Sequence, residues 1–564
     1  MGVSGLLRWT KGVIDTKQNP TSIDHLYIDF YGIIYYCLSY LNYRPGIDME
    51  ILRSMTDDEL YDVWISKIIE ETKILITKIS PTKSVTIVMD GVTPILRTIG
   101  KHYYLENVEF IKNLERDINL HFDETPDYFD KTKVYVCSQL LDKLSNKIRE
   151  EISLKSFGDI SVSLSDSRIP GEGEQKIFDL INLLDPESDE KISIFGNDSD
   201  IIVLSLLQRK KNIFFQFEEV VWEKIGEEMN KLTYIRSVNI DELYNNIFNL
   251  FNENMEKINS TIKFEEEEKG RIIDDFCFLT FFLGNDFIYR VPALKIYDII
   301  GHYCKVFVRI RQFIVTRGIQ TTLNNSFVAG FLEIIGENEQ ESLRQFHSSR
   351  YRFNLNNRNN RQIEEQSDYD KEKEMLRKTF ENPRYPKCFS RIDYRFPNWK
   401  VQYYHFLLRI DDHYEEKLRE NCQMFFEAII FYVRLYFDRV TPWNWYKKVY
   451  ASPPASDLAD YLLSCNINSH QVEIGEPLNA LVHLLVSHGR TKIEEIPPCM
   501  RDGLMDTFFD QYYPQNKIWF CYEKDDVKDF ELITPRFDIS RFQQVYEENK
   551  HLLSDEEKRR FNLD

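Results

Sequence analysis

Between residues 23 and about 297 the chain repeats one theme: a short apolar run rich in Ile, Val and Tyr, an acidic residue at its end, then a segment of helical periodicity. That alternation specifies an α/β fold built on a largely parallel sheet. The spacing predicts strands over 25–28, 84–89, 133–137 and 191–195, and helices over 59–79, 140–154, 174–184 and 272–283. Residues 1–336 are therefore read as one α/β region. From 337 to 394 the composition turns polar, with NLNNRNNRQ at 354–362, which reads as a linker or long insertion. Helical periodicity returns over 395–564, above all at 416–438, followed by an aromatic and proline cluster, TPWNWYKKVYASPP, at 441–454. This is a second, mainly helical region packing on the first. The EEEE run at 265–268 is read as a solvated helix face.

With 43% hydrophobic and 14% aromatic residues, there is ample apolar area for a sizeable core. Lys plus Arg total 71 against 91 Asp plus Glu, a net charge of −20. That sign excludes a protein that holds nucleic acid by a broadly basic surface, so any such site must be a local basic groove. Nine cysteines, odd in number and without a CxxC pair, suit a reducing compartment better than a disulfide framework or structural zinc. No apolar run approaches the roughly 20 residues needed to cross a bilayer. The opening MGVSGLLRWT lacks a secretory pattern, and no targeting segment is read. The cytoplasm is the default location, and nothing indicates an oligomeric state.

In an open parallel sheet, functional groups collect at the carboxyl ends of strands. Three predicted strands run into acid there: HLYID at Asp29, SVTIVMD at Asp90, and ISIFGNDSD at Asp198 and Asp200. The loop IPGEGEQK adds Glu172 and Glu174, and GNDF adds Asp286. Singly, each has a plainer reading, since Asp29 and Asp90 also suit turns and acids of Gly-x-Gly loops often cap helices. Together, seven converging acids would repel one another and hold their protons unless divalent cations neutralised them, and Mg²⁺ prefers carboxylate oxygen and water. Two such ions, about 4 Å apart, activate a water and stabilise the leaving oxygen in phosphodiester hydrolysis. Spacing points to convergence; only the fold can establish it.

The segments MGVSGLLRW, LYIDFYGIIYYC, VMDGVTP, SDSRIPGEGEQKI, IFGNDSDIIVLSL and DDFCFLTFFLGNDF, in this order, resemble the Xrn family of 5′→3′ exoribonucleases. The later stretches WKVQYYHFLL, YVRLYFDRVTPWNWYKKVYASPPASDL and ITPRFDISRFQQVYEENKHLLSDEEKRR resemble that family's second conserved region and closing segment. The resemblance implies a PIN/FEN-like nuclease core walled by a helical second region. It also implies that the seven acids are metal ligands or their close supports, for Mg²⁺ with Mn²⁺ as a substitute. The implied reaction removes mononucleotides from the 5′ end of single-stranded RNA, in turnover after decapping, with a decapping factor as a candidate partner. Larger members continue into further β-rich domains. Two competing classes are a 5′ DNA or flap-type nuclease and a catalytically silent RNA-binding scaffold; no helix-hairpin-helix pattern supports the former, and intact acids oppose the latter.

The departures from the family lie around the substrate. Where it has a Lys, a Gln and two Arg after the DGV motif, forming a pocket for a 5′ monophosphate, this chain has Arg97, Lys101, Tyr104 and Leu105. Arg97 and Lys101 are the phosphate-binding candidates, the alternative being ordinary surface cations. Loss of both Arg removes bidentate forks that Lys cannot reproduce. The family His that stacks on the terminal base is here Tyr35, and the Asn before it is Tyr31. Stacking on an aromatic contributes about 1–3 kcal/mol whatever the base. Its partner is expected at Phe431, with Trp443 or Trp445 as alternatives, although aromatics at helical spacing more often pack inward. Gln175 and Arg290 each stand where the family has His.

Overall fold

The computed structural model of the chain describes residues 2–17, 19–43, 55–101, 118, 119, 121, 133–185, 188–225, 228–285, 288–345, 368, 371, 372, 392–408, 410, 413–446, 451–488, 492–510, 518–520, 530–532 and 539–563. Its centre is a six-stranded sheet of β1 (Ile23–Asp29), β2 (Pro81–Val88), β3 (Ser161–Ser165), β4 (Ile192–Phe195), β5 (Ile213–Ile225) and β6 (Glu228–Asn239), in the order β3-β2-β1-β4-β5-β6. All pairings are parallel except the β5/β6 hairpin. β1 and β4 are central, and Leu26, Ile28, Ile192 and Ile194 are wholly buried, which is why these runs are apolar on both faces.

Helices Tyr31–Tyr43, Asp57–Ile79 and Gln139–Ser153 cover one face. The second of these starts on a capping box, in which Thr56 and Glu59 satisfy each other's backbone N–H groups. Helices Gly173–Ile181, Asp200–Gln208, Ile240–Ile258 and Lys269–Thr280 cover the other face, and their core continues without a break into helices Asn325–Gly336, Tyr414–Tyr432 and Ala455–Ser464. The helical region thus shares the apolar interior of the α/β region.

The stretch 133–137 is not a strand. It turns at Val136 and Cys137, the latter in the left-handed region at φ 61°; Tyr135, Val136 and Cys137 are buried with helix Ala480–His488 and the C-terminal segment, whereas Val134 joins the core under the sheet. Tyr135 lies 4.8 Å from the His488 ring and donates its hydroxyl to Glu495. The missing strand is β3, SVSLS, an edge whose outward serines dilute its apolar signal. The 416–438 segment is helical, but it ends as a π-turn at Val433–Phe437. Within the polar 337–394 stretch, residues 339–345 are helical, and the Gln340 amide donates to the Tyr394 carbonyl at 2.7 Å, tying the two ends together. The NLNNRNNRQ segment lies outside the described residues. Residues 266–268 form one exposed turn leading into helix Lys269–Thr280. No helix among the described residues is long and apolar enough to cross a membrane.

That last helix carries two buried acids with structural work. Asp274 pairs with Arg209 and Arg317. Asp275, fully buried, accepts from the Tyr303 hydroxyl (2.8 Å), Ile314 N–H (2.9 Å) and Val315 N–H (2.8 Å), so it fixes the chain beyond helix Ile299–Ile310. Replacing Asp275 by Ala strands three buried donors and is expected to lower stability by about 3 kcal/mol, measured by urea unfolding. Burial pushes the Asp275 carboxyl up to about 7. A raised folded value means that its protonated form is favoured on folding. Its contribution is complete below the unfolded value near 3.8 and declines as pH rises through 7. The stability gap between wild type and Asp275→Asn, which does not titrate, should therefore narrow between pH 5 and 8.

Candidate active site

The strand order places successive crossovers on opposite sides of β1, so a crevice opens between the carboxyl ends of β1 and β4. Asp29 ends β1 opposite Val88, Asp90 follows two residues after β2 finishes, and Asp198 and Asp200 follow β4. The IPGEG loop is laced to the DGV loop by backbone bonds from Gly91 N–H to Gly171 O and from Gly171 N–H to Val92 O, both 2.8 Å. A Cβ on Gly91 would lie 1.9 Å from the Ile169 carbonyl oxygen, so only glycine permits this crossing. Lys176, buried under the loop, donates to the carbonyls of Met89 (2.7 Å), Asp166 (2.9 Å) and Ile169 (3.2 Å), and burial draws its ammonium down to about 8.

This lacing sets the N-terminus of helix Gly173–Ile181 against the first two acids. Gly173 donates its N–H to Asp90 Oδ1 at 2.7 Å, and a Cβ there would meet Asp90 Oδ1 at 3.1 Å and Asp29 Oδ1 at 3.3 Å. Burial, then Asp90 and Asp198, push Asp29 up to about 8. Burial, then Glu172, Asp198, Asp90 and Asp29, hold Glu174 well above the usual carboxylate range. Five of the predicted acids therefore share one electrostatic site. Asp198 also accepts the Asp200 N–H at 2.9 Å, just before helix Asp200–Gln208. Asp200 accepts from Val3 N–H (2.9 Å) and from the Tyr436 hydroxyl (2.8 Å). Asp286 lies outside the described residues.

The donor set consists of carboxylate oxygens crowded enough to hold protons, which is the chemistry of a hard divalent cation site. Among the described residues no three His, Cys, Asp or Glu side chains form a ready cage for an ion. Asp90, Asp198 and Asp200 accept backbone N–H groups, and Glu172 pairs with Arg97 Nε at 3.1 Å.

Arg97 and Lys101 lie one turn apart on a short helical segment at 95–101, at the rim of this cluster. Arg97 bonds Glu172, and burial, with the Arg97 charge, draws Lys101 down despite Asp90. Tyr104 and Leu105 are outside the described residues. Tyr35 is half-buried, its ring 6.0 Å from that of Tyr31. The Tyr31 hydroxyl is buried and has no hydrogen-bond partner among the described residues.

Phe431, expected as the second stacking residue, is fully buried with its ring 5.6 Å from that of Trp445. Trp445 is likewise in the core and donates to Glu427 at 3.3 Å. Both belong to the helical core, because helix Tyr414–Tyr432 turns that face inward. Trp443 alone of the three is partly exposed, and its carbonyl accepts the Ile95 N–H at 2.9 Å, next to the Arg97 turn. Sequence reasoning missed Lys176, although it stands in the GEGEQK motif, and missed Tyr436 and Arg439, which carry no local signal. Arg439 donates to Gln175 Oε1 (2.7 Å), the Gln175 carbonyl (3.0 Å) and Asp179.

Comparison with known proteins agrees with this architecture. Residues 1–219 match the model of the XRN 5′-3′ exonuclease N-terminus, and residues 266–394 match that of the Xrn1 helical domain. The 5′-3′ exoribonuclease 1 of Homo sapiens is 24% identical across 99% of this chain and 35% of its own length. That of Schizosaccharomyces pombe is 22% identical across 99% of this chain and 49% of its own. That of Saccharomyces cerevisiae is 27% identical across 50% of this chain and 18% of its own. The chain thus spans half or less of the length of these relatives. With both family segments in order and an acid-lined crevice at the parallel sheet's switch point, the chain belongs to the Xrn family of 5′-3′ exonucleases.

Proposed function

We propose that this chain is a metal-dependent 5′→3′ exoribonuclease that removes mononucleotides from the 5′ end of single-stranded RNA. The observation that carries the reading is the mutual charge of Asp29, Asp90, Glu172, Glu174 and Asp198 at one crevice, with the cation Arg97 at its rim. Nucleases of this family are metal-dependent in general. The donor chemistry favours Mg²⁺, as two ions and with Mn²⁺ as a substitute; such cations supply, when bound, the charge that polarises an attacking water and a leaving oxygen. Asp29, Glu174 and Asp198 would hold them, with Asp90, Glu172, Asp200 and Asp286 as further ligands or supports.

Arg97 and Lys101 would receive the terminal phosphate, and the Arg97–Glu172 bond aims the guanidinium at the acids rather than at bulk solvent. Trp443, backed by the Ile95 N–H, and Tyr35 offer aromatic faces to the terminal base. A role in turnover of decapped messenger RNA in the cytoplasm, with a decapping factor as partner, is the cellular counterpart of this reading; accumulation of 5′-monophosphorylated transcripts on depletion would test it.

Changing Asp198 and Asp200 together to Ala should abolish hydrolysis of 3′-labelled RNA while leaving its binding within about threefold, since removing the acids also removes like-charge repulsion of phosphate. Undiminished turnover would overturn the assignment, and equal cleavage of a matching DNA strand would favour a broader 5′ nuclease. Joint replacement of Arg97 and Lys101 by Met should raise KM for 5′-phosphorylated RNA by about tenfold or more, and much less for 5′-hydroxyl RNA. Equal effects on both substrates would assign the two cations to general steering.

A further inference from the structure

Two side chains of the helical region reach the two helices that carry Glu174 and Asp200. The Tyr436 hydroxyl donates to Asp200 Oδ2 at 2.8 Å. Three residues on, Arg439 grips Gln175 through both its side chain and its carbonyl, and also Asp179, on helix Gly173–Ile181. Both arise from the π-turn Val433–Phe437 and the residues just after it, a geometry that inserts an extra residue and redirects the side chains that follow.

The arm is braced from behind. Asp438 pairs with Arg434 and accepts the Thr321 N–H at 2.9 Å, and Arg439 adopts φ 56°. The Tyr436 ring sits edge-on to Phe281 at 5.5 Å, in the turn that leads to the GNDF loop. A single turn thus touches the two acid-bearing helices and the turn Phe281–Leu283 at once. Asp200 meanwhile has each oxygen engaged by a protein donor, Val3 N–H on Oδ1 and Tyr436 on Oδ2.

We propose that the 436–439 turn is a positioning device for the reaction: Tyr436 and Arg439 fix helices Gly173–Ile181 and Asp200–Gln208 relative to each other, so that the acids on them meet the scissile phosphate in register. This rests on the nuclease reading above. Held acids of this kind lose rate rather than substrate affinity when their support is removed, because a small displacement matters only to the reacting atoms. Gln175 takes part through its amide oxygen and carbonyl, which explains how this chain accommodates an amide at a position where its family has His.

The test uses the full chain, 5′-phosphorylated single-stranded RNA and a Mg²⁺ titration. Tyr436→Phe keeps the ring against Phe281 and removes only the hydroxyl. It should lower kcat about tenfold to a hundredfold with KM within twofold, and raise the Mg²⁺ concentration for half-maximal rate. Arg439→Lys, which keeps one donor, should fall between wild type and Arg439→Ala on both readouts. Unchanged kcat and Mg²⁺ dependence in Tyr436→Phe, with wild type active, would overturn the proposal alone. Activity lost only in proportion to unfolded protein, followed by circular dichroism, would also overturn it. An inactive wild type would instead overturn the nuclease reading.

Discussion

Acids confined to one crevice repel one another, and the surrounding chain is organised to keep them there. Burial, with the charges of Asp90 and Asp198, raises the carboxyls of both Asp29 and Glu174 far above the ordinary carboxylate range, and Glu172 and Asp29 add to the shift at Glu174. The structure answers with fixed donors at close range. Gly173 and Val3 supply N–H groups, Asp200 caps back onto Asp198, and Arg97 neutralises Glu172. Two helix N-termini point into the same crevice, where their dipoles favour negative charge. Each charged hydrogen bond contributes about 1.5–3 kcal/mol, enough to orient an acid but not to cancel several like charges at contact distance. That residual repulsion is what suits the cluster, on the reading proposed above, to a divalent cation. A proton and a divalent ion compete for the same oxygens, so affinity for the ion must grow as pH rises.

Much of this was legible in the sequence because the switch point of a parallel sheet is a topological consequence, not a packing detail. Once 25–28, 84–89 and 191–195 are strands, the acids after them have to meet at one edge, and Asp29, Asp90 and Asp198 do. The segment 133–137 was misread for a physical reason: Tyr135, Val136 and Cys137 are buried with helix Ala480–His488, a partner more than three hundred residues away, and a run of apolar residues does not say what covers it. β3 was missed for the converse reason, an edge strand with outward serines. Phe431 illustrates the limit for aromatics. Its spacing fits a substrate contact and a core position equally well, and only the rotation of helix Tyr414–Tyr432 decides for the core. Lys176 was illegible because a lysine beneath three carbonyls looks, in sequence, like any surface cation.

The helical region is not an appendage. Its buried residues are continuous with those on one face of the sheet, with Phe281 against Tyr432 and Phe282 against Phe425. A shared interior of this kind transmits position without hinge motion, since close-packed side chains have few alternative arrangements. The turn at 436–439 and the Trp443 backbone bond to Ile95 both depend on that rigidity. Were the two regions joined only by a polar interface, neither contact would hold a catalytic group to the needed tolerance.

The overall charge of −20 now has a place in the same picture. A strongly acidic surface disfavours nucleic acid everywhere by long-range repulsion, so binding must be recovered locally. Arg97 and Lys101 stand together on one helical turn beside the acids, and partial burial intensifies their field relative to exposed cations. A chain end carrying phosphate gains at that point what the body of a strand loses elsewhere on the surface. On the proposed reading, selection for an end over an internal segment would follow from electrostatics as well as from shape.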